Sequence, residues 1–213
     1  MQTALSVVIS CAGIGSRLGL NSTKALINLE GKSLIAWQLE LFKEVEDVRI
    51  VVGFQASLVM EEVLKYRKDV IFIYNHNYFE TKTGTSFYLG AKDANEFVIE
   101  YDGDLLVNPQ DMQMLLKQSG EWIAYTDISS SEPVFVNVNS AGEVESFSRK
   151  NGDYEWTGPC CLKKSNVKYT SSNVYNQLET YLPLRGIKVR AVDIDTYDDY
   201  QNAHFILKQW RNK

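Results

Sequence analysis

The chain has 213 residues, of which 45% are hydrophobic and 23% charged, a composition typical of a globular protein with a sizeable core. Its net charge of −5 argues against a general nucleic-acid-binding or acidic-membrane-binding protein. No apolar run approaches the ~18 residues of a membrane span, and three cysteines do not make a disulfide framework or a zinc site. The start of the sequence lacks the pattern of a signal peptide, so we expect a cytoplasmic protein.

Predicted strands and helices alternate over the first half of the chain. Strands are predicted at 6–10, 49–52, 70–74 and 96–101, and helices at 33–44, at 57–66, from 86 onward and at 108–117. This rhythm predicts a three-layer α/β/α fold with a mostly parallel, Rossmann-like sheet. Ligands of such sheets bind at the carboxyl ends of the strands.

The second half is richer in short strands. They are predicted at 122–126, 133–138, 144–148 and 187–192, with a hairpin turn at 139–142 and helices at 173–182 and 198–210. No linker or repeat separates the two halves. We therefore predict one domain, residues 1–213, with a small strand-rich portion in its second half.

A loop of small residues follows the first strand. It consists of Ala12, Gly13, Ile14, Gly15 and Ser16. Its glycines allow a ligand to approach closely, and successive free N–H groups in such a loop bind an anion. Arg17 follows at once and Lys24 comes seven residues later, so the sequence predicts a phosphate cradle flanked by two cations.

Two other interpretations of this loop are open. The glycine spacing is also that of a dinucleotide-binding turn, but that fold requires an acidic residue at the end of the second strand. This chain has Gly53, Phe54 and Gln55 there. The structural alternative is a plain strand-to-helix turn with solvated cations.

The loop resembles that of the nucleotidyltransferases, which join a nucleoside triphosphate to a phosphorylated metabolite and release pyrophosphate. The resemblance rests on Ala-Gly-Ile-Gly-Ser-Arg at 12–17, Thr-Lys-Ala-Leu at 23–26 and Gly-Lys-Ser-Leu-Ile at 31–35. The Ile-Tyr-Asn-x-x-Tyr run at 73–78 is most similar to small bacterial phosphocholine cytidylyltransferases. The resemblance implies a magnesium-dependent enzyme in which Arg17 stabilises the leaving pyrophosphate and Lys24 the α-phosphate.

Two pairs of carboxylates follow predicted strands. Asp102 and Asp104 end one strand, and carboxylates there suit Mg²⁺, which prefers oxygen ligands. Strand alternation places Asp193 and Asp195 on one face of a later strand. The resemblance implies that Asp104 and Asp195 bind the metal and that Asp102 contacts the nucleotide; Asp193 is a further candidate ligand. Exposed turns and helix caps are the structural alternatives.

The start of the third predicted helix is the expected site for reading the nucleobase. The resemblance assigns this role to Thr83, Gly84, Thr85 and Ser86. Helix-opening N–H groups have no partner within the helix and are free to bind a ligand. A plain capped helix is the alternative.

An acceptor site is expected near residues 147–158. The segment resembles the acceptor-binding region of sugar nucleotidyltransferases, which makes Lys150 the candidate ligand of the acceptor phosphate. Tyr154 and Trp156 are candidates for an aromatic wall that, with Glu155, holds an ammonium group. Packing in the core or at its rim is the alternative.

The expected function is transfer of a nucleotidyl group, with CTP favoured, to phosphocholine or another phosphoamine for cell-surface polysaccharide or lipid decoration. In that case residues 1–118 bind the nucleotide, and residues 119–213 bind the acceptor and complete the metal site. A sugar-1-phosphate nucleotidyltransferase using UTP, dTTP or CTP is the first alternative. An NAD(P)-dependent oxidoreductase and a non-catalytic nucleotide sensor are alternatives from other classes. Expected partners are the nucleoside triphosphate and a phosphorylated small molecule, with no nucleic acid and no membrane; a homodimer is left open.

Overall fold

The computed structural model describes residues 4–15, 22–130 and 132–211. The strands are β1 (Leu5–Cys11), β2 (Asn28–Leu29), β3 (Lys32–Ser33), β4 (Asp47–Val52), β5 (Val70–Tyr74), β6 (Phe97–Asp102), β7 (Leu105–Val107), β8 (Trp122–Tyr125), β9 (Val134–Val138), β10 (Glu143–Ser148), β11 (Tyr154–Trp156), β12 (Cys160–Lys163), β13 (Leu184–Lys188) and β14 (Ala191–Asp193). The α-helices are α1 (Leu34–Leu41), α2 (Ala56–Tyr66), α3 (Thr83–Ala91), α4 (Pro109–Leu115), α5 (Val174–Leu178) and α6 (Tyr197–Arg211). Short 3₁₀ turns lie at Lys24–Leu26, Lys164–Asn166 and Glu179–Tyr181.

One large sheet runs through both halves of the chain. Its strand order is β11-β9-β10-β13-β8-β12-β6-β1-β4-β5. Strands β6, β1, β4 and β5 are parallel, as the sequence predicts for the first half. Beyond them the sheet is mixed, because β12 is antiparallel to β6 and to β8, whereas β13 is parallel to β8.

Helices cover both faces of this sheet. Val7 and Ile9 of β1 belong to the apolar cluster that contains residues of α1, α2 and α4. Val8 belongs to the opposite cluster, with residues of α3 and α5. This division follows from the pleat of the strand, which sends successive side chains to opposite faces. The predicted three-layer α/β/α fold is therefore confirmed, with the parallel strands β6, β1, β4 and β5 in its middle layer.

Helix α6 packs outside the two main layers. Its Ala203 and Leu207 form a third buried cluster with Leu34 of α1 and Ile194, which follows β14. Strand β14 pairs with the short β7 rather than with the large sheet. This packing fixes the chain around residues 193–195 close to the end of β6.

Several element boundaries differ from those predicted. Helix α1 begins after Ser33, whose hydroxyl accepts the backbone N–H of Ala36 at 3.3 Å and caps the helix. The predicted strand at 187–192 is two strands in different sheets. The predicted helix at 173–182 ends as α5 at Leu178 and continues as a 3₁₀ turn before Pro183, which disfavours the helical conformation of the residue preceding it. Among the described residues, no helix is long and apolar enough to cross a membrane.

Candidate active site

The small-residue loop lies at the carboxyl end of β1 and lines a cavity of about 300 Å³, here called the loop cavity. Ala12, Gly13 and Gly15 contribute to its wall, whereas Ile14 is half-buried beside it. Gly15 has a φ of +67°, and a Cβ there would lie 2.9 Å from the Cγ atom of Lys24, so this position requires glycine. The predicted Ser16 and Arg17 lie outside the described residues.

The start of α3 forms another wall of the loop cavity. Thr83 and Ser86 line it. Gly84 and Thr85 instead hold the helix against residues 170–172: Gly84 donates its backbone N–H to Ser172 O at 3.0 Å, and Thr85 donates its hydroxyl to a carbonyl of the same segment at 2.6 Å. A Cβ on Gly84 would lie 2.6 Å from Ser172 O. Two of the four predicted residues thus face the cavity, and the other two position them.

Asn75 is a cavity residue that the sequence analysis did not single out. It is buried and lines the loop cavity. Its side-chain amide donates to the hydroxyls of Ser86 at 3.2 Å and Thr81 at 3.1 Å. The Ile-Tyr-Asn-x-x-Tyr run, which contains Asn75, was the sequence signal that could have identified it as a site residue. Asn75 therefore fixes the hydroxyl that α3 presents to the cavity.

Lys24 joins the carboxylates that come from distant parts of the chain. Its Nζ lies 2.7 Å from Asp104 Oδ2 and also forms an ion pair with Asp195 Oδ1. Burial by itself would lower the pKa of Lys24, but the two carboxylates outweigh it and raise that pKa above its ordinary value. The lysine therefore stays charged and brings the two predicted metal ligands together on one ammonium group.

Three further carboxyl groups lie next to this pair: Glu100 is buried, and Asp102 and Asp193 are half-buried. Burial, followed by the charge of Asp104, raises the pKa of Asp102 to about 7. The same two causes raise the pKa of Asp193 well above its usual range, and its Oδ1 atom is buried without a hydrogen-bond partner. Burial and the neighbouring Asp102 likewise raise the pKa of Glu100. Raised pKa values favour the protonated forms of these three groups, so the region holds more carboxyl groups than Lys24 alone keeps ionised.

This excess of carboxyl groups over cations suits a divalent cation, which favours the ionised form of its carboxylate ligands. The donors are carboxylate oxygens, which Mg²⁺ prefers, and Mg²⁺ in proteins is commonly bound by one or two carboxylates together with substrate phosphates and waters. Within the part of the chain that the structure describes, no group of three or more Asp, Glu, His or Cys residues is arranged to hold a metal. The residues present therefore fit a cation completed by substrate oxygens rather than an all-protein metal centre.

A second cavity of about 240 Å³, here called the sheet cavity, adjoins the first. Both are lined by Thr83, Asp102, Asp104 and Asn173. The rest of the sheet cavity is formed by residues of the second half and of the late carboxylate segment: Ser130, Glu132, Val134, Arg149, Glu155, Trp156, Thr157, Tyr175, Asp193 and Asp195. The two cavities thus meet at Asp102 and Asp104.

The predicted acceptor residues have different positions around the sheet cavity. Lys150 is exposed and does not line it, whereas the adjacent Arg149 does and lies 5.4 Å from the ring centre of Tyr175. Trp156 lines the cavity, whereas Tyr154 does not line it and packs on Tyr125 with ring centres 4.6 Å apart.

Glu155 lines the sheet cavity and is engaged by protein donors. It accepts backbone N–H groups from Ser129 at 2.7 Å and Ser130 at 3.0 Å. Sequence reasoning did not select Arg149, since the local pattern does not tell which of two neighbours in a turn faces inward. It did not select Tyr175 because this residue belongs to α5, outside the predicted acceptor segment.

Comparison with known proteins identifies the family. Residues 7–164 match the MobA-like NTP transferase domain. The chain belongs to this family. This membership confirms the predicted resemblance to nucleotidyltransferases and excludes the oxidoreductase alternative.

One relative that matches part of the chain is a cytidylyltransferase. The chain is 33% identical over 110 residues to the choline-phosphate cytidylyltransferase of Streptococcus pneumoniae, a match that covers 49% of this chain and 47% of that protein. The match thus spans about half the length of this relative.

Two solved structures share the fold over nearly the whole chain. One is the CTP:phosphocholine cytidylyltransferase from Streptococcus pneumoniae, with a TM-score of 0.78, 20% identity and coverage of 96% of this chain and 99% of that chain. The other is the inositol-1-phosphate CTP transferase from T. maritima, with a TM-score of 0.81, 17% identity and coverage of 95% and 96%, respectively.

Proposed function

We propose that this chain joins a nucleoside triphosphate, preferentially CTP, to a phosphorylated small molecule and releases pyrophosphate. The observation that carries the proposal is the meeting of two cavities at Asp102 and Asp104. One cavity accommodates each substrate, and the reacting phosphates lie at the shared wall. A simple nucleotide sensor does not need the second cavity.

The loop cavity takes the nucleotide. The backbone of residues 12–15 offers N–H groups to the phosphates, and the charged Lys24 lies beside them. Thr83, Ser86 and Asn75 supply hydrogen-bonding groups for the base or ribose. Arg17, outside the described residues, is proposed to stabilise the departing pyrophosphate.

The sheet cavity takes the acceptor, whose phosphate oxygen attacks the α-phosphorus in line. A bond forms between that oxygen and phosphorus, and the bond from the α-phosphorus to the β-bridging oxygen breaks. The electron pair of the broken bond leaves with pyrophosphate. A phosphate monoester is itself a nucleophile, so the protein contributes positioning and charge neutralisation. Accordingly, neither His76 nor His204 lines either cavity.

Asp104 and Asp195 are the residues proposed to hold Mg²⁺, with Asp193 as a further ligand. A bound Mg²⁺ supplies positive charge that neutralises the phosphate oxygens. Lys24 bridges Asp104 and Asp195 with its own charge and presents its ammonium group to the loop cavity. Triphosphate oxygens then compete with these two carboxylates for Lys24.

A phosphoamine such as phosphocholine is the favoured acceptor. The choline-phosphate cytidylyltransferase relative supports it, as do the aromatic rings of Trp156 and Tyr175 in a cavity rich in carboxylates. Arg149, which lines the sheet cavity, is proposed to bind the acceptor's phosphate in the role first considered for Lys150. A sugar or polyol phosphate is the second candidate, supported by the likeness to the inositol-1-phosphate CTP transferase.

Pyrophosphate release in the presence of Mg²⁺ tests the proposal. Each of the four nucleoside triphosphates is combined with phosphocholine, 2-aminoethylphosphonate, glucose 1-phosphate and inositol 1-phosphate, with Asp104→Asn as the inactive control. Release with CTP and an ammonium-bearing acceptor is the expected result. Release with a sugar or polyol phosphate supports the second candidate. Nucleotide binding without release in any combination contradicts the enzyme and favours a sensor.

A further inference from the structure

Glu155 is a buried carboxylate whose hydrogen bonds go to a segment without regular secondary structure. It lies in the middle of β11 with 2% of its surface exposed. One carboxylate oxygen, Oε2, accepts the backbone N–H groups of Ser129 and Ser130 at 2.7 and 3.0 Å. The other, Oε1, accepts the hydroxyl of Ser130. Charge-assisted bonds of this kind are about twice as strong as neutral ones.

The same residue also holds the start of that segment through its backbone. Thr126 N donates to Glu155 O at 2.9 Å, and Glu155 N donates to Thr126 O at 2.9 Å. Residues 127–130, here called the serine segment, are thus attached at one end by the main chain of Glu155 and at the other by its side chain. Burying a carboxylate is costly unless donors surround it, so the side chain and the segment stabilise each other.

The serine segment forms part of the proposed acceptor site. Ser130 and Glu155 line the sheet cavity together with Asp104 and Asp195. Since Ser129 and Ser130 already engage both oxygens of Glu155, that carboxylate is not free for an acceptor's ammonium group. Its effect on the acceptor is therefore transmitted through the position of Ser130.

We infer that Glu155 is a positioning residue that fixes the serine segment as a wall of the acceptor site. The inference rests on the proposed function, but its structural part does not depend on turnover. A direct role, in which Glu155 binds the acceptor's cation, predicts a different pattern of effects.

Glu155→Gln separates the two roles, because the amide keeps the size of the side chain and loses its charge. Amide hydrogen exchange at Ser129 and Ser130 is measured in the free protein and is expected to accelerate by about tenfold or more. The acceptor KM is expected to rise by about tenfold for cationic and neutral acceptors alike, with the nucleotide KM within about twofold of wild type. Glu145→Gln, an exposed glutamate of β10, is the matched control.

Ser130→Ala provides a second variant should Glu155→Gln fold poorly. It removes only the hydroxyl bond and is expected to raise the acceptor KM by a smaller factor. Unchanged exchange at Ser129 and Ser130 in Glu155→Gln overturns the inference, as does a KM increase confined to cationic acceptors. If the wild type releases no pyrophosphate with any substrate pair, the proposed function fails while the exchange data still decide whether Glu155 holds the segment.

Discussion

At the scale of single residues, Lys24 carries the largest share of the proposed chemistry. It is the cation that joins Asp104 and Asp195, and it lines the cavity assigned to the nucleotide. A lysine buried among carboxylates keeps its proton, so its charge is available when phosphates bind.

Lys24→Met is expected to lower the rate of pyrophosphate release by about 10²–10³, the usual effect of removing one preorganised charge donor. Lys32→Met is the matched control, since Lys32 pairs with Glu40 outside both cavities. Steady-state rates are compared after circular dichroism has shown that both variants are folded. A rate for Lys24→Met within tenfold of wild type would refute the role of its charge.

Alanine substitutions at two glycines beside the site are expected to have different effects, one on ligand binding and the other on folding stability. A Cβ on Gly13 meets no atom of the described residues within 4 Å, whereas a Cβ on Gly103 lies 2.6 Å from Ser10 O. Gly13→Ala is therefore expected to keep the melting temperature but to weaken nucleotide binding, since Gly13 lines the loop cavity. Gly103→Ala is expected to lower the free energy of unfolding by about 1–3 kcal/mol. Thermal melts and nucleotide titrations check both, and unchanged nucleotide affinity of Gly13→Ala would count against the phosphate cradle.

At the scale of elements, α3 borders both cavities at its N-terminal end and is held by hydrogen bonds at its C-terminal end. Arg49 of β4 donates to the backbone carbonyls of Lys92 and Asp93, at 2.5 and 2.9 Å, just beyond the last residue of α3. Asp47 holds the same guanidinium group through two bonds. This buried arginine completes the hydrogen bonds of the C-terminal end of α3 and leaves its N-terminal end to the site.

Arg49→Met is expected to lower the free energy of unfolding by about 2–4 kcal/mol, because it leaves Asp47 and several carbonyls without their buried partner. Urea denaturation measures the effect, with the exposed Arg185→Met of β13 as control. Catalytic rate per folded molecule should stay near wild type, since Arg49 lines neither cavity. Equal stability of the two variants would contradict this role.

Arg190, which directly precedes β14, forms an ion pair with Asp111, and the stability that this pair contributes depends on pH. Asp111 accepts from Arg190 through both carboxylate oxygens, at 2.7 and 2.8 Å. Burial alone would raise the pKa of Asp111, but its bonds to Arg190 outweigh this and lower the pKa. A lowered pKa gives stability that is present above the unfolded-state value of about 3.9 and is lost as the pH falls through the folded-state value.

Asp111→Asn is therefore expected to lower the free energy of unfolding by about 0.5–1 kcal/mol at neutral pH, the range of a partly exposed pair. The difference from wild type should shrink as the pH falls below about 4. Urea unfolding at a series of pH values measures it, with the exposed Asp153→Asn as control. A difference that stays constant down to acidic pH would show that charge pairing is not its source.

At the scale of the whole molecule, the parts of the site that depend on local pattern could be predicted from sequence. Runs such as the loop at 12–15 and the Asp102–Asp104 turn follow strands whose ends converge at one edge of a parallel sheet. The structure also places Asp195 beside Asp104, as the resemblance implied.

Features that depend on tertiary contacts could not be predicted. Strands β7, β11 and β12 have three or four residues each, too few for a clear alternation. The conformation of the turn after β10 decides whether Arg149 or Lys150 faces the sheet cavity. The hydrogen bonds of Glu155 involve a segment that is distant in sequence. The nucleobase, the acceptor and the assembly of the chain stay predictions.

The most direct test of the central claim follows the oxygen atoms of the acceptor. An acceptor that supports pyrophosphate release is prepared with heavy oxygen in its phosphate, and both products are analysed by mass spectrometry. The account predicts one nucleotidylated acceptor for each pyrophosphate, with all of the label in the nucleotidylated product. Label in pyrophosphate, or pyrophosphate formed without an acceptor, would contradict direct attack of the acceptor phosphate on the α-phosphorus.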